Sequence, residues 1–235
     1  STQAKTLFPY TTLFRSSFIN DGTINLTGAS QFGVIVSPTY SYNSAELLLN
    51  APIVISGTGT AGVVFSGWMD LDGGAPFSRS AADNVVTALP PLSRASVINL
   101  DLSGSNNTGV YFGNAGTNPF NLNNYTLNIN GKDNTGVYIA NGIVNLGTGK
   151  ANAINIAGGS GNIGIFAAAA GDALSTAANI TVNADSSSGI FAQNTGTVTN
   201  TGNISASGAS VKAWILVRCI ISDNSKWYAL QAPKI

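Results

Sequence analysis

The sequence lacks the residues on which most enzyme sites depend. Its 235 residues include no His, one Cys and one Met, and only 9% are charged, against a typical share of roughly a quarter. The absence of His removes the commonest general base and the commonest metal ligand, and a single Cys permits no internal disulfide. The formal net charge is zero, so we expect no nucleic-acid partner and no electrostatic attraction to membranes.

Two longer features are also missing. No apolar run is long enough to span a bilayer, and no secretory signal opens the chain. What is present is 44% apolar residues and 27 glycines. The apolar residues alternate with polar ones, which is typical of strands rather than of disordered chains or helices.

One short phrase recurs along the chain. It consists of Gly, then Val or Ile, then an aromatic residue, as in TGVYF, TGVYIAN, IGIFAAA and SGIFAQN. The glycines of these copies, Gly109, Gly136, Gly164 and Gly189, are 27, 28 and 25 residues apart. Looser copies stand at Gly33 and Gly62. The next copy is due near residue 212, where GASVKAW lacks the expected glycine. Regular spacing of this kind indicates a repeat architecture.

Strand-like segments lie between the copies. YTLNING, NAINIAG, ANITVNAD and GNISASG alternate apolar and polar residues. A period of two places the apolar members of each segment on one face, and we expect that face to be buried. The pairs are Leu127 with Ile129, Ile154 with Ile156, Ile180 with Val182, and Ile204 with Ala206. A third set, GIVNLGTG and GTVTNTG, follows the aromatic phrases after short turns.

These patterns predict an all-β fold, a parallel β-helix (solenoid) with coils of about 25 residues and irregular ends. A propeller repeat would run nearer 40 residues, and a sandwich needs no near-identical phrases at a steady period. We expect four regions. They are an artefactual or disordered N-terminus over 1–17, irregular first coils over 18–96 with an insertion loop at 67–96, regular repeats over 97–210, and an atypical tail over 211–235. The tail is either a cap or a frameshifted segment, because both predict an atypical composition.

With those phrases in view, the chain resembles the passenger region of autotransporter (type V secretion) proteins of anaerobic Gram-negative bacteria. The resemblance is carried by TGVYIANGIVNLGTG and SGIFAQNTGTVTNTGNISASG. It implies display at the cell surface, a structural or adhesive role, and a host-surface protein or glycan as partner. It also implies that this chain is a fragment whose membrane attachment depends on a C-terminal outer-membrane barrel outside it.

The N-terminal segment differs from the repeats. Residues 6–16 read TLFPYTTLFRS, which resembles, codon for codon, the in-frame translation of a common short-read sequencing adapter. The alternative is a cap strand, because Leu, Phe and Tyr are good strand formers. We expect the biological sequence to start at about Ser17.

The alternative function is a carbohydrate-active β-helix enzyme, either a polysaccharide lyase or a hydrolase. Such chemistry needs paired or clustered carboxylates, whereas Asp133, Asp172 and Asp185 are scattered in turn phrases. Asp70 and Asp72 lack the further oxygen ligands and the closing Glu of a calcium loop. We therefore expect no catalysis, no cofactor and no metal.

The one candidate site is an aromatic ladder. Tyr111, Tyr138, Phe166 and Phe191 occupy the same position of the repeat. If the preceding Val or Ile points inward, period two turns these rings outward. Such a ladder either binds a glycan or a partner surface, or only stabilises the stack.

Overall fold

Parallel strands from successive copies of the repeat pair with each other, as the sequence predicts. A computed structural model of the protein describes residues 16–36, 45–65, 98–113, 120–122, 124–142, 144–147, 152–168, 173–193 and 197–217. Over those ranges every regular element is a β-strand, and no helix is present. Nothing in them has the length and apolar character of a membrane-spanning helix.

The strands form three long faces and one short pair. The first sheet contains seven strands in spatial order, namely β2 (Ile24–Leu26), β5 (Ile53–Ile55), β7 (Ile98–Leu102), β10 (Tyr125–Ile129), β13 (Ala153–Ile156), β16 (Asn179–Val182) and β19 (Ile204–Ala206). The second also contains seven, namely β3 (Phe32–Val36), β6 (Ala61–Phe65), β8 (Thr108–Phe112), β11 (Thr135–Ile139), β14 (Ile163–Ala167), β17 (Ser188–Gln193) and β20 (Lys212–Val217).

The third sheet has four strands, β9 (Phe120–Asn121), β12 (Val144–Leu146), β15 (Ala173–Thr176) and β18 (Thr197–Asn200). Strand β1 (Ser16–Asn20) pairs with β4 (Ala45–Leu49). Every pairing is parallel and joins neighbouring coils, so that successive coils stack along one axis. The predicted all-β parallel β-helix is therefore confirmed.

The core runs along the axis between the sheets. Side chains at alternate strand positions point inward, so the pairs predicted at Leu127 with Ile129, Ile154 with Ile156, and Ile180 with Val182 are buried. The fourth pair differs, because Ile204 is only partly buried and Ala206 is exposed. Strand β19 lies at the end of its sheet, where no following coil covers it among the described residues.

One long segment separates two coils that nevertheless stack directly. Strand β6 pairs with β8, and Thr60 contacts Asn107 although they are 47 residues apart. In the regular coils the same contact spans 27, 28 and 25 residues. The predicted insertion loop 67–96 lies outside the described residues, as do residues 1–15 and 218–235 of the predicted artefactual N-terminus and atypical tail.

A four-residue corner joins the first sheet to the second in each coil. The corners are residues 28–31, 57–60, 104–107, 131–134, 159–162, 184–187 and 208–211, with sequences such as GSNN and GKDN. The third residue of every corner is left-handed, with φ between 52° and 69° at Ser30, Gly59, Asn106, Asp133, Gly161, Ser186 and Ser210. Asn, Asp, Ser and Gly suit this position because they tolerate or locally stabilise positive φ.

Candidate functional site

The four predicted aromatic residues form one column on the outer face of the second sheet. Strand pairing sets Tyr111 beside Tyr138, Tyr138 beside Phe166, and Phe166 beside Phe191. The ring centroids are 5.3, 5.0 and 5.1 Å apart in that order. The structure therefore brings all four together, and we call this column the aromatic ladder.

The rings point outward for the reason that the sequence predicts. Residues Val110, Val137, Ile165 and Ile190, which precede them, are fully buried in the core. Alternation then turns the next side chain to the outside, and each ring is half-buried. The expected outward orientation is confirmed, and binding by the ladder remains a prediction.

The geometry of the ladder limits what can bind to it. The rings of Tyr111 and Tyr138 are stacked with planes 19° apart, and the later pairs are tilted by 44° and 33°. Stacked rings cover each other's faces, which are the surfaces that a sugar ring or a cation would use. The ladder therefore presents mainly ring edges and the two tyrosine hydroxyls to a partner.

The hydroxyl of Tyr111 stays protonated at neutral pH. Partial burial raises the pKa of Tyr111 above its ordinary value, and the neighbouring Tyr138 raises it further. A protonated phenol both donates and accepts hydrogen bonds. The ladder is thus an apolar, uncharged strip with hydroxyl groups at one end.

The scattered acids each have a structural partner where the structure describes them. Asp101 accepts a hydrogen bond from Asn128 Nδ2 at 2.7 Å on the outer face of the first sheet. Asp133 occupies the left-handed position of its corner. Its Oδ2 lies 3.9 Å from Lys132 Nζ, and both side chains are exposed. Asp185 accepts a hydrogen bond from the backbone N–H of Ala209 at 2.9 Å. These residues therefore act in turns and between coils, as the turn phrases predict.

The acids are not brought together. In the described residues no group of three or more Cys, Asp or Glu side chains is placed to hold a metal ion. Asp70, Asp72 and Asp172 lie outside those residues. The expectation of a chain without catalysis or metal stays a prediction.

A second ladder lies inside the stack. The last residues of the first six corners form a column that is buried except at its first member, and we call it the corner ladder: Gln31, Thr60, Asn107, Asn134, Asn162 and Ser187. The backbone N–H of Asn107 donates to Asn134 Oδ1 at 2.9 Å, and that of Asn134 donates to Asn162 Oδ1 at 2.9 Å. Each link thus ties one coil to the next.

The amide nitrogens of this ladder bond backward across the stack. Asn134 Nδ2 donates to the carbonyl of Gly104 at 2.9 Å, and Asn162 Nδ2 donates to that of Gly131 at 2.7 Å. One Asn side chain therefore satisfies a buried donor and a buried acceptor in the preceding coil, which explains why Asn suits the position. The recurring pattern Gly-x-x-Asn, present at 104–107, 131–134 and 159–162, is the signal that would have located it.

Comparison with known proteins identifies no relative for this stack. No protein-family model matches the chain, and no curated protein or solved structure matches it significantly.

Proposed function

We propose that this chain is part of a surface-displayed autotransporter passenger with a structural and adhesive role and no catalysis. The observation that carries the proposal is the uninterrupted in-register stack, in which the same positions of successive coils meet in columns. A scaffold of this kind holds an extended surface away from its attachment point, because each coil contacts only its neighbours.

The outer columns support a role in contact rather than in chemistry. On the first sheet the column after Asp101 continues through Asn128, Asn155, Thr181 and Ser205. Asn155 Nδ2 donates to Asn128 Oδ1 at 3.0 Å, so neutral amides link the coils without the repulsion that stacked charges would cause. Such a surface offers hydrogen-bond donors and acceptors to a host-surface protein or a glycan and has no strong charge of either sign.

The aromatic ladder adds an apolar strip on the second sheet. Half-buried rings present edges that can pack against an apolar patch of a partner. The hydroxyl groups of Tyr111 and Tyr138 supply hydrogen bonds beside it. We expect the ladder to contribute to adhesion only through these edges, since its ring faces are occupied.

The test displays the chain on a Gram-negative host through a heterologous anchor and measures adherence to immobilised host proteins and glycans. We expect adherence above that of the anchor alone and no cleavage of the polysaccharides supplied. Cleavage of a polysaccharide, or adherence equal to that of the anchor alone with the chain exposed and folded, would contradict the proposal.

The ladder is tested in the same system with the double variant Tyr138→Ser and Phe166→Ser. The double variant Ser175→Ala and Thr199→Ala, at exposed neighbouring positions of the third sheet, is the matched control. We expect the double variant to lower the melting temperature and to lower adherence at temperatures where it remains folded. A lower melting temperature with unchanged adherence would show that the ladder only stabilises the stack.

A further inference from the structure

A column of glycines runs through the second sheet and explains how closely its coils approach. A Cβ built on Gly33, Gly62, Gly109, Gly136, Gly164 or Gly189 would lie 2.5 to 2.8 Å from the carbonyl oxygen of the column's next residue. Contacts below 3.0 Å are essentially never seen for real Cβ atoms. In this column a side chain on one coil therefore excludes the following coil.

The column ends at Ala213. Strand β20 pairs in register with β17, so Ala213 lies opposite Gly189, and a Cβ on Gly189 would lie 2.7 Å from the Ala213 carbonyl oxygen. Ala213 carries a Cβ at the position where each earlier coil has none. A coil stacked onto β20 in the same register would place its backbone carbonyl against that methyl group.

The corner ladder ends in the same coil. Each ladder side chain after Gln31 accepts a hydrogen bond from a backbone N–H of the preceding coil. The last link runs from the Asn162 N–H to Ser187 Oγ at 3.1 Å. The next residue in the column is Val211, because Ser188 pairs with Lys212. The side chain of valine has no oxygen that could accept such a bond. Two independent columns thus stop at the same coil.

Among the described residues, the opposite end of the stack has no comparable block. Strands β2 and β3 are the first of their sheets, and large apolar side chains near them are exposed, namely Phe18 (47%), Ile19 (56%), Phe32 (44%) and Ile35 (37%). Gly33 lies in β3 and offers its carbonyl to a preceding coil. That coil must itself carry glycine opposite Gly33, since any Cβ there would meet this carbonyl.

We propose that the methyl group of Ala213 blocks the addition of a second copy of this chain at the C-terminal end of the described stack. Head-to-tail stacking of two copies sets Ala213 of one against Gly33 of the other. The methyl group of Ala213 therefore prevents the strand addition that exposed sheet edges otherwise permit.

The test is the variant Ala213→Gly in the full chain, compared with the wild type by sedimentation velocity over a range of concentrations. Heterologous contacts that do not close build open filaments, so we expect the weight-average mass of the variant to rise at least about twofold with concentration. We expect the wild type to stay monomeric over the same range. The control is Ala213→Ser, which retains the Cβ and is expected to behave as the wild type.

A second variant tests the accepting edge. Combining Ala213→Gly with Phe32→Lys and Ile35→Lys places charges on β3, the means by which natural edge strands resist pairing. This combined variant should be monomeric, and added in small amounts it should shorten the assemblies of Ala213→Gly.

Circular dichroism checks that each variant is folded. An Ala-to-Gly change in a strand costs about 1 kcal/mol or less, so we expect the fold to be retained. Monomeric, folded Ala213→Gly, or wild type that already forms head-to-tail assemblies, would overturn the proposal.

Discussion

The central coils and the first coils share one fold but differ in how completely they bury it. In the coils from β7 to β14 the inward side chains are at 0 to 1% exposure, whereas Leu26 and Val34 of the first coil remain at 7% and 9%. The central corners hold Asn107, Asn134 and Asn162, all buried, and the first holds Gln31, which is exposed. A coil takes its burial from the neighbours on both sides, so the same position matters less at the end of a stack.

The largest expected difference is between a glycine inside the glycine column of the central stack and a glycine outside that column in the first coil. In the central stack a Cβ on Gly136 would lie 2.6 Å from the carbonyl oxygen of Gly164, whereas a Cβ on Gly22 in the first coil meets nothing within 4 Å. We expect Gly136→Ala to lower the free energy of unfolding by about 3 kcal/mol, because backbone must move. Gly22→Ala should change it by less than about 0.5 kcal/mol. Urea denaturation measures both, and equal effects would contradict the comparison.

Substitutions in the corner ladder should also destabilise the central coils more than the first coil, by a smaller difference. Asn134→Ala removes the acceptor of the Asn107 N–H and the donor to the Gly104 carbonyl. Leaving the buried Asn107 N–H unpaired should cost about 2 kcal/mol, whereas the Gly104 carbonyl still accepts from the backbone N–H of Lys132. Gln31 Oε1 accepts only from the backbone N–H of Gly28 at an exposed corner, so Gln31→Ala should cost less than about 0.5 kcal/mol. Melting curves of the two variants sharpen the comparison, and a larger loss for Gln31→Ala would refute it.

The smallest effect is a dependence on pH that belongs to the central coils. Burial raises the pKa of Tyr125 above its ordinary value of 10.0. Its hydroxyl donates to the carbonyl of Leu146 at 3.4 Å. The unfolded chain loses this proton at lower pH than the folded chain, so stability is full below about pH 10 and falls as the pH rises above it.

The variant Tyr125→Phe tests this pH dependence. At about pH 8 it should cost about 1 kcal/mol for the lost hydrogen bond. At about pH 11 its stability should fall less steeply than that of the wild type. The stability of the variant still depends on pH to some extent, because the pKa of Tyr111 is also raised. Urea midpoints at the two pH values provide the measurement, and identical slopes for variant and wild type would contradict the assignment to Tyr125.

The strands and the inward faces could be predicted because they depend on local alternation. The phrases around Gly109, Gly136, Gly164 and Gly189 became β8, β11, β14 and β17, and the outward rings followed from the same period. The exposure of Ala206 could not be predicted in this way. A residue can face the axis and still lack a covering coil. Orientation is a local property, whereas burial depends on the next coil.

The corner ladder was harder to predict for a different reason. Asn is common in turns because it bonds to its own backbone, so Asn134 reads first as a local turn residue. Its actual partners, Asn107 and Gly104, lie 27 and 30 residues earlier. Only the recurrence of Gly-x-x-Asn at the coil period distinguishes the two. The angles between the rings of the aromatic ladder depend on packing between coils, and the repeat phrase does not predict them.

The parallel stacking of coils also relates the length of the gene to the length of the stack along its axis. Seven strands in a sheet span six intervals of about 4.8 Å, or about 29 Å along the axis. Each further repeat of the coding sequence therefore advances the tip by about 4.8 Å and leaves every existing contact unchanged. Gain or loss of whole repeats would act as a ruler, adjusting how far a surface is carried outward in small, equal steps.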